Sequence, residues 1–212
     1  MPKSSVCKEI DASSSLARSA GSDEDLLRAF VLQHDRLSYE TLVRRYQHEI
    51  YNYLRRYLAD DDLAEDAFQL TFVRVFKKAE QFDLTRRFRP WLYGIATHQA
   101  IDLQRRGSRR ALQSLDASFG ETDSRAYSHA AAIPDHRVPS QDVLVEAEFR
   151  GQMRDAVAEV GEPGRSALEL IYLQGLSYRD AADSLGVPVG TVKSRVHSAI
   201  RKLSAIWQRS ES

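Results

Sequence analysis

The feature that most constrains the fold is the helical spacing of the apolar residues. Between residues 38 and 58, five of them recur every three or four positions: Leu42, Tyr46, Ile50, Leu54 and Tyr57. Residues with this spacing lie on one face of a helix. No segment alternates apolar and polar residues between turn signals, as a half-buried strand would. The sequence therefore predicts an all-α protein.

Further helices are predicted on both sides of this segment. Ser22 can cap the first of them, and the carboxylates of residues 23–25 suit the positive end of the helix dipole. A third helix follows the break over residues 59–66, and a fourth runs from about Trp91 to Arg106. Helical patterning resumes in the last third of the chain.

The helical pattern is interrupted between two predicted domains. From residue 107 onward the chain has few large apolar residues and no sustained period, which is typical of a linker. Residues 1–21 are rich in Ser and Ala and are predicted to form a disordered tail. We therefore predict two small helical domains, residues 22–110 and 141–209, joined by a flexible linker over residues 111–140.

Composition excludes several classes of protein. The chain has 30 basic and 30 acidic residues, so it is not a uniformly basic nucleic-acid binder, although its charges can be segregated. Cys7 is the only cysteine, which rules out an intrachain disulfide and fits the cytoplasm. No apolar run approaches the roughly 20 residues of a membrane span, so we expect no membrane insertion.

The C-terminal part of the chain has the spacing of a helix-turn-helix. Ser177 can cap its first helix, with Asp180 placed as in a capping box. Gly186 allows the turn, because a positive φ costs little without a side chain. The small Ala182 and the apolar Val192 suit the place where the two helices cross.

The second helix of this pair separates apolar from cationic residues. Its apolar stripe consists of Val192, Val196, Ala199, Ile200, Leu203 and Trp207. The other side and its flank carry Thr191, Lys193, Ser194, Arg195, His197, Ser198 and Arg201. Short hydroxyls let a helix approach base edges, while Arg and Lys contact phosphate and guanine. A merely solvated face usually mixes charges of both signs, so the absence of acids here indicates DNA binding.

The N-terminal domain also separates its charges. Five acids crowd the start of the third helix: Asp60, Asp61, Asp62, Glu65 and Asp66. Arginines precede and end the fourth helix: Arg86, Arg87, Arg89, Arg105, Arg106, Arg109 and Arg110. This order suggests two different partners, although capping and the helix dipole account for each cluster taken singly.

Three stretches taken together resemble the bacterial extracytoplasmic-function (ECF) RNA polymerase sigma factors. They are DDLAEDAFQLTFVRVF (residues 61–76), RPWLYGIATHQAIDLQRR (residues 89–106) and LSYRDAADSLGVPVGTVKSRVHSAIRKL (residues 176–203). The first two resemble what is called region 2 of the family, and the third resembles region 4. The resemblance covers about residues 22–110 and 141–207 and implies a role in transcription initiation.

The resemblance implies that region 2 binds core RNA polymerase through a coiled coil of the β′ subunit. By position, the contacts are expected from Leu63, Asp66, Gln69, Leu70 and Phe72. A cationic polymerase surface would suit the acidic cluster. This sequence departs from the family at Leu70, where Glu is usual. The β flap of the polymerase is implied as a second contact.

The resemblance also implies that region 2 opens the promoter −10 element. A protein that does so needs aromatic or apolar surfaces to hold an unstacked base and cations to hold a single strand. The residues expected to bind this element are Arg86, Arg87, Phe88, Arg89, Trp91, His98, Arg105, Arg106 and Arg109. Trp91 and Tyr93 fit a protein core as well. His98 replaces a common Asn of the family, so the −10 motif stays open.

Region 4 would read the −35 element through the polar residues of the second helix given above. Ser198 stands where the family often carries Arg, so the −35 sequence is open too. The resemblance further implies control by an anti-sigma factor, which a flexible linker would permit to bind between the domains. Catalysis would belong to the polymerase, so we expect no enzyme activity, no cofactor and no metal.

Two other classes of protein stay open from the sequence. A LuxR-like regulator would share the terminal helix-turn-helix without binding polymerase. An enzyme that acts on DNA, such as a recombinase, would need a nucleophile with a base or carboxylates that hold a metal. Residues 60–66 are the only candidate carboxylate cluster for such a site.

Overall fold

The computed structural model describes residues 21–117, 151–153 and 155–210, without side-chain detail for residues 108–117 and 210. Within these ranges the chain forms helices and turns and no strand, which confirms the all-α prediction.

Two groups of helices make up the described chain. The first contains α1 (Asp23–Gln33), α2 (Arg36–Leu58), α3 (Asp61–Lys78), a 3-10 turn (Ala79–Gln81) and α4 (Phe88–Ala117). The second contains α5 (residues 151–153 and 155–160), α6 (Gly164–Leu168), a π-helical turn (Glu169–Leu173), α7 (Tyr178–Leu185) and α8 (Val189–Ser210). We refer to them as the N-terminal and C-terminal domains.

Polar side chains start the helices where the sequence interrupts the helical pattern. Ser22 Oγ accepts a hydrogen bond from the backbone N–H of Asp25 (3.1 Å), and Asp60 Oδ1 accepts one from Leu63 (2.9 Å). Each cap satisfies an amide that has no partner within its own helix. Asp60 therefore has a structural role in addition to its charge.

The core of the N-terminal domain is built on the apolar face of α2. All five residues that define this face in the sequence are buried, and Ile50, Leu54 and Tyr57 are buried completely. Tyr53 is fully buried beside them, and its ring meets Tyr93 of α4 edge-on at 5.1 Å. Its hydroxyl shares a hydrogen bond with Thr97 Oγ1 (2.7 Å). Ring contacts of this kind, with the hydroxyl satisfied, stabilise the α2–α4 packing beyond the area they bury.

Helix α4 begins earlier and ends later than the sequence predicts. It starts at Phe88 rather than near Trp91, because the Phe88 ring is fully buried and its backbone N–H donates to Glu24 Oε1 of α1 (2.9 Å). It continues to Ala117, so the first residues of the predicted linker are helical. The side chains of Arg109 and Arg110 lie outside the described residues.

The helix-turn-helix prediction is confirmed in detail. Ser177 Oγ accepts a hydrogen bond from the N–H of Asp180 (3.1 Å), which starts α7. Gly186 ends α7 with φ of 64°, and Ala182 and Val192 are buried between α7 and α8. Pro188 directly precedes α8.

The two domains pack against each other through α4 and α7. A methyl group built on Gly94 of α4 would lie 2.6 Å from the backbone oxygen of Ser184 in α7. Only a glycine permits this approach, since side-chain carbons do not come that close to a backbone oxygen. The Ser184 hydroxyl in turn donates to the backbone oxygen of Pro90 (2.6 Å).

Candidate DNA-binding and partner-binding surfaces

Helix α8 presents a cationic face that is anchored by a buried apolar stripe. Val192, Val196 and Ala199 are buried, as predicted, and Ala199 packs against the backbone at Gly164, where an added methyl would lie 3.0 Å from its Cβ. Ile200, predicted for the same stripe, differs from these residues because it is 40% exposed. The helix contains no Asp or Glu along its whole length.

The polar residues predicted for DNA binding differ in exposure. Five of them are exposed: Lys193, Ser194, His197, Ser198 and Arg201. Thr191 and Arg195 are partly buried, and Arg195 lines a groove of about 360 Å³ between α8 and residues 160–164. Lys193, His197 and Arg201 lie one helical turn apart, so an exposed imidazole stands between two exposed cations.

Helix α3 exposes acids at its start and apolar residues further along. Asp61, Asp62, Glu65 and Asp66 are exposed, and Asp61 pairs with Arg55 of α2 (2.7 Å). Further along the helix, Leu70 is 40% exposed. Acidic and apolar groups therefore meet on one outer face of α3.

The residues predicted from the sequence to contact polymerase omit one residue of this face and include another that is buried. Val73 is 49% exposed and lies one turn beyond Gln69 and Leu70, and its spacing from Asp66 could have identified it. Phe72 is 8% exposed and packs on Phe68 at 5.0 Å. Its assignment as a polymerase contact is therefore corrected: its ring belongs to the core.

The cations before α4 and in its first turn pair with other parts of the same chain. Arg86 pairs with Asp183 of α7 (2.9 Å), and Arg87 contacts Asp180 (3.3 Å). Arg89 donates to Glu49 Oε1 of α2 (2.7 Å) and to the backbone oxygen of Gln174 (3.1 Å). All three arginines thus meet an acidic or carbonyl oxygen, and each of them has a partner in the C-terminal domain.

The aromatic residues predicted for the −10 site are largely structural. Phe88 is fully buried, so its assignment as a DNA contact is corrected: its ring anchors the start of α4. Trp91 is partly buried and packs on Phe82 (4.5 Å) and Phe88 (6.0 Å). Tyr93 is fully buried, and burial together with Glu49 raises the pKa of its hydroxyl above the usual value. Trp91 is the one residue of this group that is not fully buried.

Three further candidates lie along α4. His98 is exposed, and its Nδ1 hydrogen-bonds to the backbone oxygen of Gly94 (2.6 Å). Arg105 and Arg106 are exposed on later turns. The cationic surface of the N-terminal domain therefore runs from the loop before α4 along the helix itself.

The contact between the domains also contains buried polar groups. Arg165 of α6 is stacked over the Tyr57 ring of α2 at 4.6 Å and donates to the Tyr57 backbone oxygen. Burial raises the pKa of the Glu169 carboxyl, Arg165 and Arg56 lower it, and Glu162 raises it. Glu169 is only 3% exposed, so its carboxyl lies in a poorly solvated place that disfavours the charged form.

The described residues contain no cluster of three or more His, Cys, Asp or Glu arranged to hold a metal ion. None of the helices in the described ranges is both long and apolar enough to cross a membrane.

Two sequence families match the chain. Residues 42–110 match Sigma-70 region 2, and residues 150–203 match Sigma-70, region 4. The chain is 30% identical over 175 residues to the ECF RNA polymerase sigma factor SigW of Bacillus subtilis, covering 81% of this chain and 91% of that protein. It is 31% identical over 170 residues to the ECF RNA polymerase sigma-E factor of Haemophilus influenzae, covering 80% and 87%.

Solved structures have the same fold. CnrH, in complex with the cytosolic domain of CnrY, aligns with a TM-score of 0.62 and 22% identity over 89% of this chain and 99% of that one. The sigma factor RpoE of Bartonella quintana, crystallised with the anti-sigma factor NepR, aligns with a TM-score of 0.58 and 25% identity over 80% and 96%.

Proposed function

The chain belongs to the ECF family of RNA polymerase sigma factors, which direct transcription initiation, and we propose that its two charged surfaces divide this work. The N-terminal domain, residues 22–110, binds core polymerase and the −10 element. The C-terminal domain, residues 141–209, binds the −35 element, and residues 111–140 link the two. The separation of charge carries the proposal: the acids gather at the start of α3, whereas α8 has none.

Core polymerase binds the outer face of α3, through its β′ coiled coil. The contacts are the exposed Asp66, Gln69 and Leu70, with Leu63 at the edge and Val73 one turn further. An apolar centre flanked by charge is the usual composition of a protein interface, in which buried side chains supply affinity and charges supply orientation. Leu70 and Val73 provide this centre, so an apolar contact replaces the Glu that is usual in the family.

The −10 element binds along the start and length of α4. The cations are Arg86, Arg87, Arg89, Arg105 and Arg106, and Arg109 extends the set along the helix. A single strand is held by cations along its backbone and by rings or flat groups that stack on its bases. The groups of this kind are the partly buried ring of Trp91 and the exposed imidazole of His98.

The −35 element binds the cationic face of α8. Lys193, His197 and Arg201 form an accessible row, and the hydroxyls of Ser194 and Ser198 lie beside it. A helix of a helix-turn-helix enters the major groove with the residues of its first turns against the base edges. Thr191 and Arg195, near the start of α8, complete the set. The polymerase β flap is the protein partner of this domain.

In this proposal, the protein is regulated in the same way as other members of its family and acts in the same cellular compartment. An anti-sigma factor is the inhibitory partner, since the related RpoE was solved bound to one. The protein is a DNA-binding regulator that leaves all catalysis to polymerase and uses no cofactor. It acts in the cytoplasm, where core polymerase and the chromosome meet.

The first test replaces Leu70 by Arg and measures binding of the purified chain to core RNA polymerase that lacks a sigma factor. Leu32 of α1, which is 65% exposed, receives the same substitution as the control. We expect Leu70→Arg to weaken binding at least about tenfold, as loss of a central interface residue does, and Leu32→Arg to leave it unchanged. Equal affinities of the two variants would remove α3 from the interface.

A further inference from the structure

The cations of α8 lie on two different flanks of the helix. The row that contains His197 is exposed on the open side. Arg195 and Lys202 lie two turns apart on the flank that faces the connection between α5 and α6. This connection, residues 160–164, forms with α8 a groove of about 360 Å³, which is within the size range of clefts that hold a ligand.

The wall of this groove is fixed against α8 by close packing. A methyl group built on Gly164 would lie 3.0 Å from the Cβ of Ala199, a buried residue of α8. The same methyl would lie 3.2 Å from Val160, which is only 3% exposed. The groove is therefore part of the folded domain, and a ligand that enters it finds its walls already in place.

Neither cation of the groove is neutralised by an acid among the residues that the structure describes. Arg195 has no ion pair there, and Lys202 donates one long hydrogen bond, of 3.3 Å, to a backbone oxygen of the wall. An ammonium group has three N–H donors, so two of them remain. Glu162 lines the groove, but its Oε1 accepts from the Tyr57 hydroxyl and its Oε2 from the Ser166 hydroxyl. The groove therefore has positive charge available for an external anion.

The groove opens onto the side of α8 that we assign to the −35 element. Ser194 and Ser198 line it, and both are exposed. A strand whose bases face these hydroxyls has its backbone along the flank of the helix, because the major groove is only about 12 Å wide. Arg195 and Lys202 are about 10 Å apart along the helix axis, whereas successive phosphates of a strand rise by about 3.4 Å. Each cation can therefore meet a phosphate of its own.

We propose that this groove binds the backbone of one DNA strand, that Arg195 and Lys202 each hold a phosphate there, and that neither residue reads a base. The proposal rests on the proposed −35 function of α8. It adds Lys202 and the wall of residues 160–164 to the DNA-binding surface. It also assigns Arg195 to affinity and register, because phosphate contacts position a protein on a duplex without carrying sequence information.

The test uses the full chain and a pool of fluorescein-labelled duplexes of random sequence, with binding followed by fluorescence anisotropy at several salt concentrations. Arg195→Ala and Lys202→Ala each remove one cation of the groove. Arg209→Ala is the matched control, because Arg209 lies on the same helix outside the groove and pairs with Glu159 (2.7 Å). The duplexes that each variant retains are sequenced, so that base preferences can be compared with those of the wild type.

We expect each groove variant to lose about one phosphate contact. One contact adds about 0.9 to the salt slope, so between about 50 and 200 mM salt the wild-type affinity should fall about threefold more than that of Lys202→Ala. The double variant should lose about twice this slope. All groove variants should retain the base preferences of the wild type, and Arg209→Ala should match the wild type in both measurements.

A wild-type salt slope in Lys202→Ala would overturn the proposal, and the exposed position of this residue makes misfolding no explanation of such a result. A changed base preference in Arg195→Ala would overturn it as well. Arg201→Ala, on the open side of α8, tests the −35 function separately, and weaker binding of this variant keeps that function in place. If Arg201→Ala also bound like the wild type, the −35 function itself would fail, and the phosphate site with it.

Discussion

Gly94 sets how closely the two domains approach, so Gly94→Ala should open the contact. The added methyl would lie 2.6 Å from Ser184 O and 3.1 Å from Ser184 Cα, both backbone atoms that cannot rotate away. Helix α7 must therefore move back by several tenths of an ångström. Overpacking of this kind typically costs about 1–3 kcal/mol, which shifts the equilibrium between docked and undocked domains by about 5- to 150-fold.

Gly107 provides the matched control for this prediction. It lies in the same helix, and a methyl built on it meets no atom within 4 Å. Both substitutions raise the helical propensity of α4, by about 1 kcal/mol each, so both should stabilise the N-terminal domain. Only Gly94→Ala should separate the domains.

Small-angle X-ray scattering and urea unfolding distinguish the two effects. We expect Gly107→Ala to keep the wild-type radius of gyration and to unfold at higher urea. Gly94→Ala should have a larger radius of gyration, with the C-terminal domain unfolding separately at lower urea. The same radius and the same unfolding curve for both variants would refute the argument that this close approach controls docking.

Arg201→Ala should weaken binding to promoter duplex and reduce the salt dependence of binding by about one phosphate contact. Arg209→Ala, on the last turn of α8 and paired with Glu159, should change neither. A DNA titration at several salt concentrations measures both the affinity and its salt dependence. Glu169→Gln should stabilise the fold at pH 7, because the raised pKa of this carboxyl means that its ionised form is penalised when buried. That gain in unfolding free energy should shrink as the pH falls through the raised pKa, because the wild-type carboxyl then becomes neutral. A gain that is independent of pH in urea melts would contradict this. Asp60→Ala should lower the unfolding free energy by about 1 kcal/mol through loss of the α3 cap. Asp62→Ala is the control and should have a smaller effect in the same urea melts.

The sequence was sufficient for the parts of the fold that depend on local pattern. The apolar face of α2, the cap at Ser177 and the turn at Gly186 all follow from spacing and backbone chemistry, and all are present. The family resemblance was sufficient for the class of protein, because it combined motifs from both domains in the right order. The family matches and the ECF relatives confirm that class.

The sequence was insufficient where tertiary contacts determine which side chains are buried and which are paired. Phe88 and Phe72 have the residue type of a binding surface, and only packing shows that their rings are buried. Ile200 has the spacing of the apolar stripe of α8, yet it is 40% exposed. The pairing of Arg86 with Asp183 joins residues far apart in the chain, so no local pattern could have indicated it.

Run-off transcription with sigma-free core RNA polymerase tests the central claim most directly. The purified chain is mixed with core polymerase and a library of genomic promoter fragments, and the 5′ ends of the transcripts are sequenced. The account predicts specific start sites that share −10 and −35 motifs, and their loss with Leu70→Arg. A folded chain that binds duplex DNA but yields no specific transcript with any core polymerase tested would contradict it.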